Sequence, residues 1–256
     1  MKLRILGAHN SETQNKRHIS ILIDDLIVLD AGCITTELNY DEQKKIQAIL
    51  LTHGHYDHIK TIPSYAFNNM SKTTKIYASK ETHDILASHL MDGVIYPKFN
   101  EKLSFSNNHT LKQITIESKQ HFSLLSYSIT PLPVNHIQGS FGFEIKSKDK
   151  KKIFYTGDTG PHLEAIWKHI SPDLLIIDVT FPDKFENYAK DSNHLCPLLL
   201  KNELLLFKKI NKYLPRVIAI HLSPVYELAI KNELSEISGD LNHPIEISTE
   251  GQKIII

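Results

Sequence analysis

The stretch His53-Gly54-His55-Tyr56-Asp57-His58 decides how the rest of the chain is read, because it sets three imidazoles and a carboxylate within six residues. It directly follows IQAILL (46–51), a short apolar run that reads as a buried strand, so the cluster stands at a strand end. Imidazole is the commonest protein ligand for transition metals. A tight turn can aim His53 and His55 at one ion while Asp57 and His58 face a second, and Gly54 lets the backbone fold that closely. The chain holds 15 histidines, and this is the one place where they cluster in sequence.

Outward from that cluster, strands and helices alternate. Upstream, RHISILIDDLIVLDAG (17–32) reads as a hairpin about the polar pair Asp24 and Asp25. Downstream come an irregular segment through Pro63, a strand KIYAS (75–79), and a helix capped by Ser79 that runs through THDILASHL (82–90). The interval 92–108 shows no period. Strands are then expected at ITIES (114–118), YSITPLPVNH (127–136), FGFEIK (141–146), KIFYTGD (152–158) and LLIIDVTF (174–181), with a helix at LEAIWKHI (163–170). The final third repeats the alternation, with a helix PLLLKNELLLFKKI (197–210), a strand RVIAIHL (216–222), a helix YELAIKNELSEI (226–237) and strands IEIS (245–248) and KIII (253–256). No repeat or linker divides the chain, so residues 1–256 are expected to form a single domain. Mixed strands covered by helices predict a layered α/β sandwich with functional loops gathered at one edge of the sheets.

Composition narrows the classes further. With 41% hydrophobic and 23% charged residues the chain can bury a substantial core. Lysine plus arginine number 29 and aspartate plus glutamate 29, so no net charge pulls the chain toward nucleic acid or an anionic membrane. No apolar run approaches the roughly 18 residues of a membrane helix, and MKLRILGAHN lacks the apolar stretch of a signal peptide, which predicts a soluble, cytoplasmic protein. Cys33 and Cys196 form no CxxC pair and offer neither a disulfide framework nor a thiolate zinc site.

The run HGHYDH resembles the HxHxDH signature of the metallo-β-lactamase superfamily, and the family's remaining motifs follow in order. The early aspartate matches Asp30 in LDAG, the third histidine His136 in PVNHIQGSFGFEI, the bridging aspartate Asp158 in YTGDTG, and the last histidine His221 in IAIHLSP. The resemblance implies the family's four-layer αβ/βα sandwich. It implies one ion held by His53, His55 and His136, another by Asp57, His58 and His221, Asp158 bridging, and Asp30 bracing the histidine loop from behind. Two such cations can share a hydroxide that is potent at neutral pH, so the implied reaction is hydrolysis, with Asp57 orienting the nucleophile. The mixed nitrogen and oxygen donors suit zinc, with manganese or iron as alternatives.

Two segments point to a branch of the family. IIDVTFPDKFENYAKDSNHLCP (176–197) resembles the phosphodiesterase branch, in which an acidic residue closes a strand and an HLTP-like element follows; these match Asp178 and His194, with Cys196 where the family has threonine and Asp178 where it has glutamate. A histidine there can protonate the leaving alkoxide, its tautomer fixed by the carboxylate. SHLMDGVIYPKF (88–99) is similar to the insertion of class II cyclic-nucleotide phosphodiesterases. The implied function is a dinuclear phosphodiesterase of a small substrate, foremost a cyclic nucleotide. The alternatives are a ribonuclease Z-like tRNA 3′-processing endonuclease, another hydrolase of the fold such as a β-lactamase or thioesterase, and a non-catalytic metal-binding scaffold or sensor.

Several other residues have both a functional and a bland reading. Ser140 can reach a phosphate or simply start a strand, and Tyr96 can stack on a base or pack under a loop. Trp167 lies on the periodic face of its helix and is expected in the core. In the helix after Pro197, Leu198 and Leu205 project among lysines away from the main apolar stripe, which either a loop covers or a homodimer uses.

Overall fold

The computed structural model describes residues 1–102 and 109–256; the last part of the period-less interval, 103–108, lies outside the described residues. Two sheets face each other. The first runs β14-β1-β2-β3-β4-β5-β6, built from β1 (Lys2–Gly7), β2 (Ser20–Ile23), β3 (Ile27–Leu29), β4 (Ala48–Leu50), β5 (Thr74–Ala78), β6 (Leu111–Thr115) and β14 (Lys253–Ile255). The second runs β13-β12-β11-β10-β9-β8-β7, built from β7 (Phe122–Leu124), β8 (Tyr127–Pro133), β9 (Phe141–Lys146), β10 (Lys152–Tyr155), β11 (Leu174–Asp178), β12 (Arg216–Ile220) and β13 (Ile245–Ile247). Each sheet has a parallel part, β3-β4-β5-β6 in one and β10-β11-β12-β13 in the other.

Strand alternation separates three apolar layers. Ile21, Ile23, Ala48 and Leu50 of the first sheet meet Ile153, Leu174, Ile176 and Ile218 of the second between the sheets. Their neighbours Leu22 and Ile49 face outward beneath α1 (Ile34–Glu37), α4 (Ile62–Asn68) and α5 (Lys80–Ile85). Leu175, Ile177, Val217 and Ala219 face the opposite side under α6 (Glu164–Trp167), α8 (Pro197–Asn211) and α9 (Glu227–Leu241). Strands buried on both faces need continuous apolar sequence, which explains why ILL, LLII and VIAI read as runs rather than as alternation. The result is the α/β/β/α sandwich expected from the sequence. No helix among the described residues is long and apolar enough to cross a membrane.

Some local expectations need correction. The segment through Pro63 is helical: α3 (Tyr56–Ile59) and α4 lie there, and Pro63 occupies the first turn of α4, where its missing N–H goes unnoticed. The strand placed at ITIES begins three residues earlier, at Leu111, where it pairs with Thr74 of β5. Trp167 is fully buried, and its Nε1–H donates to the buried Glu203 at 2.7 Å. On α8, Leu200, Leu204 and Phe207 sink into the core while Leu198 and Leu205 remain exposed. Cys33 and Cys196 are buried free thiols, both pushed up to about 12, by burial above all.

Candidate active site

Parallel strands deliver the site. Asp30 follows β3, His53 follows β4, Asp158 follows β10, Asp178 closes β11 and His221 follows β12, so both sheets aim their C-terminal strand ends at one cleft. The sheets are joined there by a backbone bond from Phe141 N–H to Thr52 O at 2.9 Å. After β4 the chain turns at once into α3, with His55 at its cap and Asp57 and His58 in its first turn, which spreads the four HxHxDH side chains around one point. Gly54 packs closely under α5: a Cβ there would lie 2.5 Å from Ile85 Cδ1, so that side chain would have to shift. Gly157, at φ +61, combines a left-handed turn with contact so close that a Cβ would meet Thr52 at 2.7 Å.

The seven family positions converge as two nests around Asp158. On one side, His53 Nε2 lies 3.5 Å and His136 Nε2 3.8 Å from Asp158 Oδ2, and His136 Nε2 is 3.0 Å from His55 Nδ1. On the other, His58 Nε2 lies 3.1 Å and His221 Nε2 3.3 Å from Asp158 Oδ1, and His221 Nε2 is 3.1 Å from Asp57 Oδ2. Each carboxylate oxygen of Asp158 thus faces a different nest. The donor atoms within each nest all lie within 4.8 Å of one another.

A second layer fixes the rings. Asp30 Oδ2 accepts from His58 Nδ1–H at 2.8 Å and from the Tyr155 hydroxyl at 2.7 Å, and Asp30 Oδ1 accepts from Thr52 N–H at 2.8 Å. The Thr52 hydroxyl donates to Asp30 and can accept from His53 Nδ1–H at 3.0 Å. On the opposite sheet, the Thr180 hydroxyl donates to Asp178 Oδ1 at 2.5 Å and can accept from His221 Nδ1–H at 2.7 Å. His136 Nδ1–H donates to Asn193 O at 3.1 Å. In these tautomers the Nε2 lone pairs of His53, His58, His136 and His221 all point into the cleft. Thr52 and Thr180 were not expected from the sequence; each stands beside a strand-end position that was, Thr52 just before His53 and Thr180 two residues after Asp178.

His194, on the loop before α8, stacks on His221 with ring centroids 5.3 Å apart. Its Nδ1–H donates to Asp178 Oδ2 at 2.7 Å, and Thr159 N–H donates to the same oxygen at 3.1 Å. The pairing forms although aspartate stands where the family carries glutamate. Asp178 is fully buried behind His194. Ser140 is buried at the head of β9, with no hydrogen-bond partner for its hydroxyl among the described residues. The Tyr96 hydroxyl lies 3.2 Å from Ser64 Oγ of α4, and its ring packs against the outer layer of the first sheet.

The electrostatics differ between the nests. Burial, then the His58 charge, holds His53 well below the ordinary histidine value, and burial brings His136 down to about 4. Burial also lowers His58, but Asp158, Asp30 and Asp57 outweigh it and hold that ring well above the ordinary value. For His221 the same contest, with Asp158 the strongest opponent of burial, ends at about 10. Asp57, which burial would raise, is held down at about 2 by His58 and His221. His194 is raised because Asp178 and then Asp158 outweigh burial, and Asp178 is lowered because His194 does the same for it.

Into this geometry fit the comparisons with known proteins. The sequence profile described as "Beta-lactamase superfamily domain" matches residues 25–222. The chain belongs to the beta-lactamase superfamily. A Yersinia pestis protein named probable 3′,5′-cyclic-nucleotide phosphodiesterase is 25% identical over 217 residues, 75% of this chain and 61% of that protein. The chain therefore spans about three-fifths of the length of that relative. The ribonuclease Z of Methanocaldococcus jannaschii is 26% identical over 76% of this chain and 78% of its own. The crystal structure of unliganded yeast PDE1 superposes with a TM-score of 0.83 at 18% identity, covering 100% of this chain and 99% of that one, and shows that the fold is shared.

The superfamily implies divalent metal, and the cleft suits it. His53 Nε2, His58 Nε2 and Asp158 Oδ1 are buried, and although they lie 3.1–3.5 Å from groups of the opposite charge type they make no well-aligned hydrogen bond among the described residues. Leaving such atoms unpaired costs about 1–3 kcal/mol each. Cations coordinated there would satisfy all three.

Proposed function

We propose that this chain hydrolyses a small phosphodiester of the cyclic-nucleotide kind. In this reading His53, His55 and His136 would hold one divalent ion and Asp57, His58 and His221 a second, with Asp158 shared between the two sets. The observation that carries it is the division of Asp158, whose two oxygens face separate nests, beside a histidine already paired with a buried carboxylate. Ions bound there would supply Lewis acidity and lower the pKa of water between them; the nitrogen and oxygen donors favour zinc, with manganese and iron as substitutes.

The chain's own groups supply the rest. His194 keeps a proton on Nε2, because Nδ1–H is committed to Asp178 and the ring's pKa is raised. A phosphodiester seated between the nests would receive that proton on its departing alkoxide oxygen. Asp57, held ionised, offers Oδ2 as an acceptor that orients the attacking water. Asp178 and Thr180 act as positioning residues for His194 and His221.

The ribonuclease Z relative, matched over 78% of its length, supports a second reading, a tRNA 3′-processing endonuclease. A substrate that large needs contacts to many phosphates, whereas this chain has equal numbers of basic and acidic residues. The deciding experiment assays the metal-loaded protein side by side on cyclic AMP and GMP, 2′,3′-cyclic nucleotides, a nitrophenyl phosphodiester, a tRNA precursor and a β-lactam. Cyclic nucleotides should turn over fastest. Faster cleavage of the tRNA precursor would establish the second reading, and faster turnover of the β-lactam than of every phosphodiester would overturn both.

A further inference from the structure

Beside His194 the second sheet carries an aromatic cleft that metal binding and proton transfer leave without a task. A cavity of about 440 Å³ is lined by Phe181, Phe185, Tyr188 and Tyr226. Phe181 forms the wall nearest the reacting centre, its ring edge-on to His194 with centroids 5.9 Å apart. Tyr188 stands edge-on to Phe181 at 5.0 Å and is 59% exposed, so one face of a large ring is left to solvent. Lys184 places its ammonium 5.0 Å over Phe185 and 5.3 Å over Tyr226, a cation at the margin of the aromatic walls.

The cleft is built before any ligand arrives. Asp183 N–H donates to Glu233 Oε2 of α9 at 2.9 Å, and Asp183 Oδ1 accepts from Leu198 N–H at 2.7 Å, tying the 181–185 turn to two helices. Thr180, one residue before Phe181, is the hydroxyl that holds both Asp178 and His221. The pocket wall and the threonine that positions the site's rings are consecutive residues of one turn. We infer that this cleft is the nucleobase subsite of the substrate, with the base stacked on the exposed side of Tyr188 and bordered by Phe181, the sugar passing His194, and the phosphate between the nests. The inference rests on the phosphodiesterase reading and deepens it. The arrangement suits a planar aromatic guest whose base is joined to an anion, because Tyr188 offers an exposed ring to any base by stacking, while the Lys184 charge over Phe185 and Tyr226 attracts the phosphate-bearing molecule.

The test compares cyclic AMP with base-free ribose 3′,5′-cyclic phosphate. Stacking on one aromatic ring corresponds to about a tenfold change in affinity, so Tyr188→Ala should raise the KM ratio of cyclic AMP over the base-free substrate about tenfold. Tyr188→Phe should restore the ratio. In the unaltered protein, adenosine should compete with the base-free substrate where ribose does not. An unchanged ratio, or adenosine that does not compete, overturns the subsite. A Tyr188→Ala protein with altered molecular mass in solution and unaltered adenosine binding would assign the cleft to contact between two copies, which also overturns it. If no phosphodiester is hydrolysed at all, calorimetric titration with adenosine keeps the questions apart. Millimolar binding that Tyr188→Ala abolishes then upholds the aromatic subsite while the phosphodiesterase reading falls, and absence of binding removes both.

Discussion

The nest of His53, His55 and His136 and the nest of Asp57, His58 and His221 share one carboxylate and differ in almost everything else. The first consists of imidazoles that burial drives toward the neutral form, with His136 down at about 4, so its lone pairs are free near neutral pH. The second is crowded with carboxylates, and its rings keep their protons, His221 up to about 10. In the two-ion reading, filling the first nest would be mostly coordination, while filling the second would release protons from His58 and His221.

The largest test of this contrast is Asp158→Ala, which removes the one group common to both sides. Metal content measured by elemental analysis should fall at both sites, and phosphodiester turnover should drop by about a thousandfold or more, since several kcal/mol of charge stabilisation depend on the ions. Loss of one ion alone would show that Asp158 belongs to a single nest. Next comes His194→Ala, which touches neither nest's donor set. Both ions should stay, and turnover of an alkoxide-leaving substrate should fall about a hundredfold to ten-thousandfold, with a much smaller loss on a nitrophenyl diester. Equal losses on both substrates would make His194 a phosphate-binding group instead.

A finer comparison uses the paired threonines. Thr180→Val should weaken the ion at His221 by about ten- to a hundredfold in affinity, whereas Thr52→Val, which frees His53 and also loosens Asp30 behind His58, should weaken both ions, read by competition with a chelating dye. Thr180→Val weakening both ions equally would break the idea that this threonine serves one nest alone.

The smallest effects are in the pH dependence of the metal-free protein. His221, raised from 6.5 to about 10, contributes stability that is complete below pH 6.5 and gone above about 10. His136, lowered from 6.5 to about 4, favours the fold above pH 6.5 and loses that contribution as pH falls through about 4. The Tm of chelated protein should therefore fall less steeply on the alkaline side in His221→Asn, and less steeply on the acid side in His136→Asn. Parallel pH profiles for both variants and the unaltered chain would erase the electrostatic difference between the nests.

Much of the site was legible before any fold, because four of the seven converging side chains sit in six consecutive residues and the others each close an apolar run. A buried strand is recognisable from its run, and a lone charged or imidazole residue at its end is conspicuous. The hairpin about Asp24 and Asp25 was legible for a similar reason, and both residues take positive φ there. Thr52 and Thr180 were not legible: a threonine beside a strand is commonplace, and its task arises only when a ring from the same loop or the opposite strand arrives at 2.7–3.0 Å. The helices at 56–68 were missed for a different reason, since α3 holds only four residues and is shaped by its side chains' common target rather than by an apolar period. Pro63 read as a breaker because the first turn of a helix, where proline is welcome, cannot be told from a loop without knowing where the helix starts.

Asp30 and His221 both sit in the left-handed region of the backbone, at φ 56° and 72°, each immediately after a strand. Outside glycine that conformation costs roughly 1–2 kcal/mol. Glycine would relax the backbone at either position, but it would also strip Asp30 of its bonds to His58, Tyr155 and Thr52 and leave the Thr180 hydroxyl without the His221 ring. The bend is kept in place by the same contacts that aim the cleft, so loosening one turn would be felt at the far side of the other sheet.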